Sequence, residues 1–581
     1  MYIIKFLYNH HMQTKWDLST FYKSPGDPQI EIDKKIILEK AKEFAKKWQG
    51  RVDYLSDPVL LKQALDDYEV FIRNYDNGGK VYFYFYLSNV LNQLDNNIRA
   101  KLNLATDFVL EVENNIRFFE LSLKDVKITN VPGYEHFLER IIAERKHVLS
   151  EPEEKIISLK SQSGYQSWVD MTEKFLSRDN ISLLQSQMAD VNKKTRDTAA
   201  VKFNEIMEKY SDVAEHELNA VLQNKKVDDQ LRKFPRPDSS RHLGDDMETE
   251  TIDQLVKVVT DNFAVAHEFY KLKAKLLGVK KLKYHERLVP VGAKDRTYKL
   301  EEMVSLCGDV FASLDPEFKA IFDAFLNDGK VDLLPQKGKT GGAACIDVVK
   351  SCPTFIFQNF TGKIRDITTL AHEMGHGINS ELYRKTQNGL NFGVPMSTAE
   401  VASTFMEDFV LERLIREADE KTRLSLFVSK LDHDISTIFR QVALYNFEKE
   451  LHAEFRAKGY LPKEEIGKLF QKHMAVYMGP AVEQSPGSEN WWVYWSHIRY
   501  YFYVYSYAGG LLISKNLQKQ VRVNPKFIAN VKQFLSAGLS DSPKNIFAKL
   551  GINISDANFW QSGIDEVKSL LEETKNLYSN Q

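Results

Sequence analysis

The chain has 581 residues with 78 basic and 80 acidic side chains, a net charge of −2, so it carries no basic field for nucleic acid or an anionic membrane. Its 28 glycines and 17 prolines fall below the average share of about 12%, which argues against a turn-rich β architecture and predicts a mainly α protein with more than one lobe. Cys307, Cys345 and Cys352 are too few and too irregularly spaced for a disulfide framework or a thiolate zinc site.

The opening Met1-Tyr2-Ile3-Ile4-Lys5-Phe6-Leu7-Tyr8 is apolar but short, and Asn9-His10-His11 follows in place of a small-residue cleavage site. No run reaches the length that spans a bilayer, so a soluble, cytoplasmic protein with a loosely held leader is expected. Trp16-Asp17-Leu18-Ser19 opens the ordered part, and Ser24-Pro25-Gly26-Asp27-Pro28 is a turn cluster. Ile37, Ala41, Phe44, Ala45 and Trp48 mark one amphipathic helix, and Leu61, Ala64, Leu65, Tyr68, Phe71 and Ile72 a second. The aromatic run Tyr82-Phe83-Tyr84-Phe85-Tyr86 and the stretch from Glu111 to Phe119 continue the helical pattern as core. Pro132-Gly133 and Glu151-Pro152 punctuate the helices that follow.

A long charged helix is expected from about Asn192 to Gln223, an exposed loop at Lys233-Phe234-Pro235-Arg236-Pro237, and another long helix from about Glu250 to Leu277. His285 and Glu286 are a weak metal pair, because no further ligand stands at ligand spacing. Gly338-Lys339-Thr340 copies the ending of a phosphate-binding loop, but Leu333 stands where that motif needs its first glycine. Pro353 to Phe360 reads as a strand beside a flexible hairpin, with an edge that could pair with an extended peptide.

The strongest signal is Ala371-His372-Glu373-Met374-Gly375-His376-Gly377. A His-Glu-x-x-His string arises by chance in on the order of 1% of chains this long. On a helix, His372 and His376 lie one turn apart on one face and can offer two imidazole nitrogens to one ion. A carboxylate from a second helix is the usual third ligand, leaving a fourth position open. Glu400, in Ser397-Thr398-Ala399-Glu400-Val401, is the candidate. Apolar residues at helical spacing, from Ile364 and Ile367 to Ile378 and Leu382, bury the flanks of the histidines. An unpaired His-Glu-His set there would be expensive to desolvate.

Near the C-terminus, Trp491 to Gly510 is dense in aromatics. At about 100° per residue, Tyr500, Tyr503 and Tyr507 fall on one helix face with His497 nearby. The stretch is either a core helix with its hydroxyls bonded to backbone or a donor set facing the metal.

Taken together, the pattern resembles the oligoendopeptidase F group of zinc peptidases, relatives of thimet oligopeptidase. The resemblance rests on the His-Glu-x-Gly-His at His372 to His376 and on Glu400-Val401-Ala402-Ser403-Thr404 with Glu407. Trp16-Asp17-Leu18, Leu149-Ser150-Glu151, Gly342-Ala343, His497, Phe502-Tyr503-Val504-Tyr505, Tyr507 and Gly538-Leu539-Ser540-Asp541-Ser542-Pro543 extend it over nearly the whole chain. Ala344-Cys345 departs from it, standing where relatives often carry an aromatic or serine. The resemblance implies a two-lobed, clam-like helical body, divided at about residue 200 into an N-terminal lobe (1–200) and a catalytic domain (201–581). It further implies a small sheet beside the zinc helix and a channel that admits short peptides, not folded proteins.

The chemistry then expected is hydrolysis of internal peptide bonds. One zinc ion on His372, His376 and Glu400 activates a water, Glu373 takes its proton as general base, and His497 with one or two of Tyr500, Tyr503 and Tyr507 stabilises the oxyanion. Glu407 either orients a zinc-bound imidazole or makes a surface ion pair. Cleavage at chain ends, as by a peptidyl-dipeptidase or carboxypeptidase, and peptide binding without turnover are the competing readings.

Overall fold

The computed structural model describes residues 12–292 and 296–580; the leader at Met1 to Tyr8 lies outside them. The architecture is mainly α with two small sheets. Among the described residues no helix is long and apolar enough to cross a membrane.

Apolar burial builds two cores. The first takes residues from Trp16 to Leu138, carried by the helices Gln29–Trp48, Pro58–Tyr75, Gly79–Leu91, Asn96–Leu123 and Glu135–Glu144. Asp57 and Asp95 accept the free amides at the starts of two of these helices, and Pro58 fits its first turn. Phe83, Tyr84 and Phe85 of the aromatic run are buried in this core, as the pattern indicated. The second core gathers residues from Leu184 to Leu571 around the 39-residue helix Lys193–Leu231 and the helices that follow.

The two cores do not divide at a single position in the sequence. Ile346, Val349, Cys352, Phe355, Phe357 and Leu390 all pack into the first core, although they lie far downstream of it. The seam is the strand Phe355–Phe357, whose side chains alternate: Phe355 and Phe357 face the first core, Ile356 the second. Trp16 fixes the N-terminal segment there, its indole N–H donating to Ile356 O at 2.8 Å and its ring edge-on to Phe355.

That strand is the centre of a three-stranded sheet. Val331–Asp332 pairs with it in parallel (Val331 opposite Ile356), and Ala344–Ile346 antiparallel (Cys345 opposite Ile356). The segment Pro353 to Phe360 therefore has no free edge for a peptide. The edge strands are Val331–Asp332 and Ala344–Ile346. The phosphate-loop look-alike is also accounted for: Lys339 is a buried structural ammonium, donating to Asp332 Oδ1 at 2.5 Å and to the carbonyls of Asp332, Leu334 and Gln358.

The helix expected from Glu250 to Leu277 is two, Thr249–Asp261 and Ala264–Leu276. Asn262 at the break donates to Val258 O at 2.9 Å and to Gln561 Oε1, 299 positions away, at 2.8 Å. A local period carries no sign of that tertiary partner.

Two further helices, Ile364–Thr386 and Met396–Glu417, cross at Gly375, and the second packs on Tyr505–Val523. A Cβ on Gly375 would stand 2.6 Å from Ala402 O and 2.6 Å from Ser403 Cα, which are backbone atoms and cannot swing aside. Gly377 lies on the sheet, its place for a Cβ 2.8 Å from Ile356 Cδ1. Substituting Gly375→Ala must push the two helices apart and should cost about 1–3 kcal/mol, as overpacking does. Denaturant unfolding measures it, and an unchanged midpoint would contradict the backbone contact.

Candidate active site

The helix Ile364–Thr386 carries His372, Glu373 and His376, and Met396–Glu417 carries Glu400 and Glu407. Their crossing brings one ligand atom each from His372, His376 and Glu400 within 4.8 Å of one another. Glu400 Oε2 stands 3.4 Å from His372 Nε2 and 3.6 Å from His376 Nε2. The other nitrogen of His372, Nδ1, is 3.0 Å from Glu407 Oε2. That contact holds the ring so that Nε2 faces Glu400, where a bound cation would replace its proton. Glu407 thus contacts an imidazole and is not a surface ion pair. Ser403, one helical turn beyond Glu400, donates to Glu400 Oε2 at 2.9 Å, a contact the one-turn spacing could have revealed.

The electrostatics show what this set attracts. Burial opposes a charge on His372, but Glu400 and Glu407 outweigh it and push its pKa up to about 10. Burial pulls His376 down to about 4. Burial would raise Glu400 as well, yet the two imidazoles hold it down to about 2. Three converging acceptors, with a carboxylate behind one imidazole, make a pocket for positive charge, and the donor set suits a borderline-soft dication. Glu373 lies beside it. Burial and the nearby Glu400 charge raise it to about 7, in the range useful for a proton carrier, while the backbone of Cys345 acts to lower it. The edge strand Ala344–Ile346 therefore lies beside Glu373.

The aromatic stretch is not one helix. Short 3₁₀ turns cover Ser488–Trp492 and Ser496–Arg499, and the α-helix begins at Tyr505. Between them the chain reverses through Tyr501 and Phe502, both left-handed at φ 56° and 58°, a conformation costing about 1–3 kcal/mol for a bulky residue. The reversal separates the expected set. The rings of Tyr503 and Tyr507 stand next to each other with centroids 5.9 Å apart, and His497 stacks on Tyr503 at 5.2 Å. The Glu400 charge acts on the Tyr507 phenol. Tyr500 is turned away, 39% exposed, its hydroxyl donating to Glu173 at 3.2 Å. Burial, then Arg440, lowers His497 to about 4, leaving a neutral imidazole that can donate one N–H.

The second titratable cluster is engaged elsewhere. The fold brings Asp197 to His285 and Glu286, a trio that could also hold an ion. Arg196 donates to Glu286 at 2.9 Å, however, and Lys193 and Lys283 stand 3.5 Å from Glu286 and Asp197. Three cations already neutralise it.

Comparison with known proteins places the chain in a family. The profile of "Peptidase family M3" matches residues 186–566 and that of "Oligopeptidase F" residues 129–178. Group B oligopeptidase PepB of Streptococcus agalactiae serotype III is 25% identical over 600 residues, covering 98% of both chains. Oligopeptidase PepF of Bacillus subtilis is 26% identical over 522 residues, 84% of this chain and 76% of its own. The structure of oligoendopeptidase-F from Enterococcus faecium shares the fold, with a TM-score of 0.68 at 20% identity over 95% of this chain and 99% of its own. The chain belongs to peptidase family M3 and is a metalloendopeptidase of the oligoendopeptidase F group, acting on short peptides.

Proposed function

We propose that the metal is one zinc ion held by His372, His376 and Glu400, and that Glu373 is the general base. The convergence of the three ligand atoms within 4.8 Å, on helices that cross at Gly375, carries this reading. When bound, zinc supplies Lewis-acid activation of water and of the scissile carbonyl.

Glu373 accepts the proton that the attacking water loses as its oxygen bonds to the carbonyl carbon. It then passes that proton to the amine nitrogen as the C–N bond breaks. Tyr507 and Tyr503, with His497 stacked behind, are the donors for the tetrahedral oxyanion. Tyr500, at the rim, stands outside this set. Glu407 holds the His372 ring in place.

The substrate lies extended along the free edge of Ala344–Ile346, where main-chain bonds grip a peptide without selecting one side chain. Closing the two lobes on such a strand would exclude water and keep folded domains out. The free thiols of Cys307, Cys345 and Cys352 fit a reducing, cytoplasmic setting.

Three measurements test this. Metal analysis under a competing chelator should find near-stoichiometric zinc in the parent and little in Glu400→Ala; equal zinc in both removes Glu400 from the ligand set. Glu373→Gln should keep its zinc and lose about 10²–10⁴-fold in kcat, because the amide cannot take up the proton; a rate near the parent's overturns the general-base assignment. Internally quenched peptides blocked at both ends should be cut at short lengths, and the same scissile sequence grafted into a loop of a folded protein should be spared. Comparable cleavage of the graft defeats the size gate and leaves the zinc chemistry standing.

A further inference from the structure

The reversal at Tyr501-Phe502 is gripped from two sides by side chains remote in sequence. On one side Glu448, fully buried on the helix Gln441–Lys458, accepts the N–H of Phe502 at 2.8 Å. On the other, Arg241 of the short helix Ser239–Gly244 donates Nε to Tyr501 O and Nη2 to Tyr500 O, both at 3.2 Å. Arg241 is braced by Asp245, 3.5 Å from its Nη1, and the other oxygen of Asp245 accepts the Tyr505 hydroxyl at 2.6 Å. Consecutive left-handed residues that carry a Cβ persist where their surroundings over-determine them, and these contacts supply that restraint. Directly after the turn the chain enters the helix Tyr505–Val523, with Tyr503 and Tyr507 four residues apart across its start.

We propose that Glu448 and Arg241 are positioning residues for peptide hydrolysis: they clamp the left-handed turn that aims Tyr503 and Tyr507 toward Glu400. The proposal rests on the reading of those phenols as oxyanion donors. The metal ligands and the Ala344–Ile346 edge belong to other elements, and the helix meets Glu400 at Gly510, further along than the turn, so loosening the turn displaces the donors while the zinc site and the peptide-binding edge stay in place. The loss therefore falls on the transition state and spares ground-state binding. Burial also lifts Glu448 to about 8, so near neutral pH it is largely the uncharged acid. An amide at this position keeps both its shape and its acceptor oxygen.

The test is Michaelis analysis of zinc-loaded variants on an internally quenched peptide. Glu448→Ala and Arg241→Gln should each lower kcat about 10- to 100-fold, as sub-ångström to ångström misplacement does, with KM within about twofold of the parent and zinc content unchanged. Glu448→Gln should recover most of the loss. In a Tyr503→Phe/Tyr507→Phe background, both clamp substitutions should have almost no further effect, because coupled groups are not additive. If Glu448→Ala does not fold, Arg241→Gln carries the test alone, since its side chain is 29% exposed. Parental kcat in a folded Arg241→Gln or Glu448→Ala, while the tyrosine variants are slow, overturns the clamp and leaves the oxyanion reading intact. So does a full additional loss in the double-phenylalanine background. Parental kcat in the Tyr503→Phe/Tyr507→Phe protein instead removes the oxyanion reading, and the clamp's role with it.

Discussion

The proposed metal site depends on one close contact between backbones. At Gly375 the helix of the two histidines approaches the helix of Glu400 so nearly that a single methyl group would overlap a carbonyl oxygen. A side-chain spacer there would move Glu400 outward and open the 3.4 and 3.6 Å separations that let one ion touch all three groups. Gly510 does the same on the far side of Glu400, where its place for a Cβ lies 3.0 Å from Glu400 Cβ. The helix segment that carries Glu400 is thus held between two helices at glycine contact.

The second constraint is electrostatic. A half-buried pocket that gathers His372, His376, Glu373, Glu400 and Glu407 is stable when positive charge answers the carboxylates. Behind it the glutamate helix carries buried Asp408, which pairs with Lys430 next to the Lys515–Asp434 bridge at 2.7 Å. Each buried charge there has a partner, so the helix is fixed in rotation as well as in distance. Buried pairs of this kind secure geometry more than they add stability.

Much of the site was legible in the sequence, for a physical reason. His372, Glu373 and His376 are local, and one helical period places them on one face. Glu400 follows within the next helix, and Glu407 two turns later shares its face. The helical character of the chain was similarly clear in its apolar spacing and sparse glycine and proline. What stayed hidden was set by long-range contacts. The break at Asn262 answers to Gln561, and the reversal at Tyr501-Phe502 answers to Glu448 and Arg241. A uniform helical period through Tyr500, Tyr503 and Tyr507 therefore grouped three phenols where the fold joins two. The sheet is a related case. Alternation in Phe355-Ile356-Phe357 marks a strand, but pairing on both sides of it, by Val331–Asp332 and by Ala344–Ile346, makes it central and transfers the free edge to Cys345 and its neighbours.

We propose one zinc ion at the crossing of the two helices. Anomalous diffraction from crystals of the full chain, recorded on either side of the zinc absorption edge, tests it most directly. One strong peak bounded by His372 Nε2, His376 Nε2 and a Glu400 carboxylate oxygen is expected. A peak at Asp197, His285 and Glu286 with none at the crossing would contradict it.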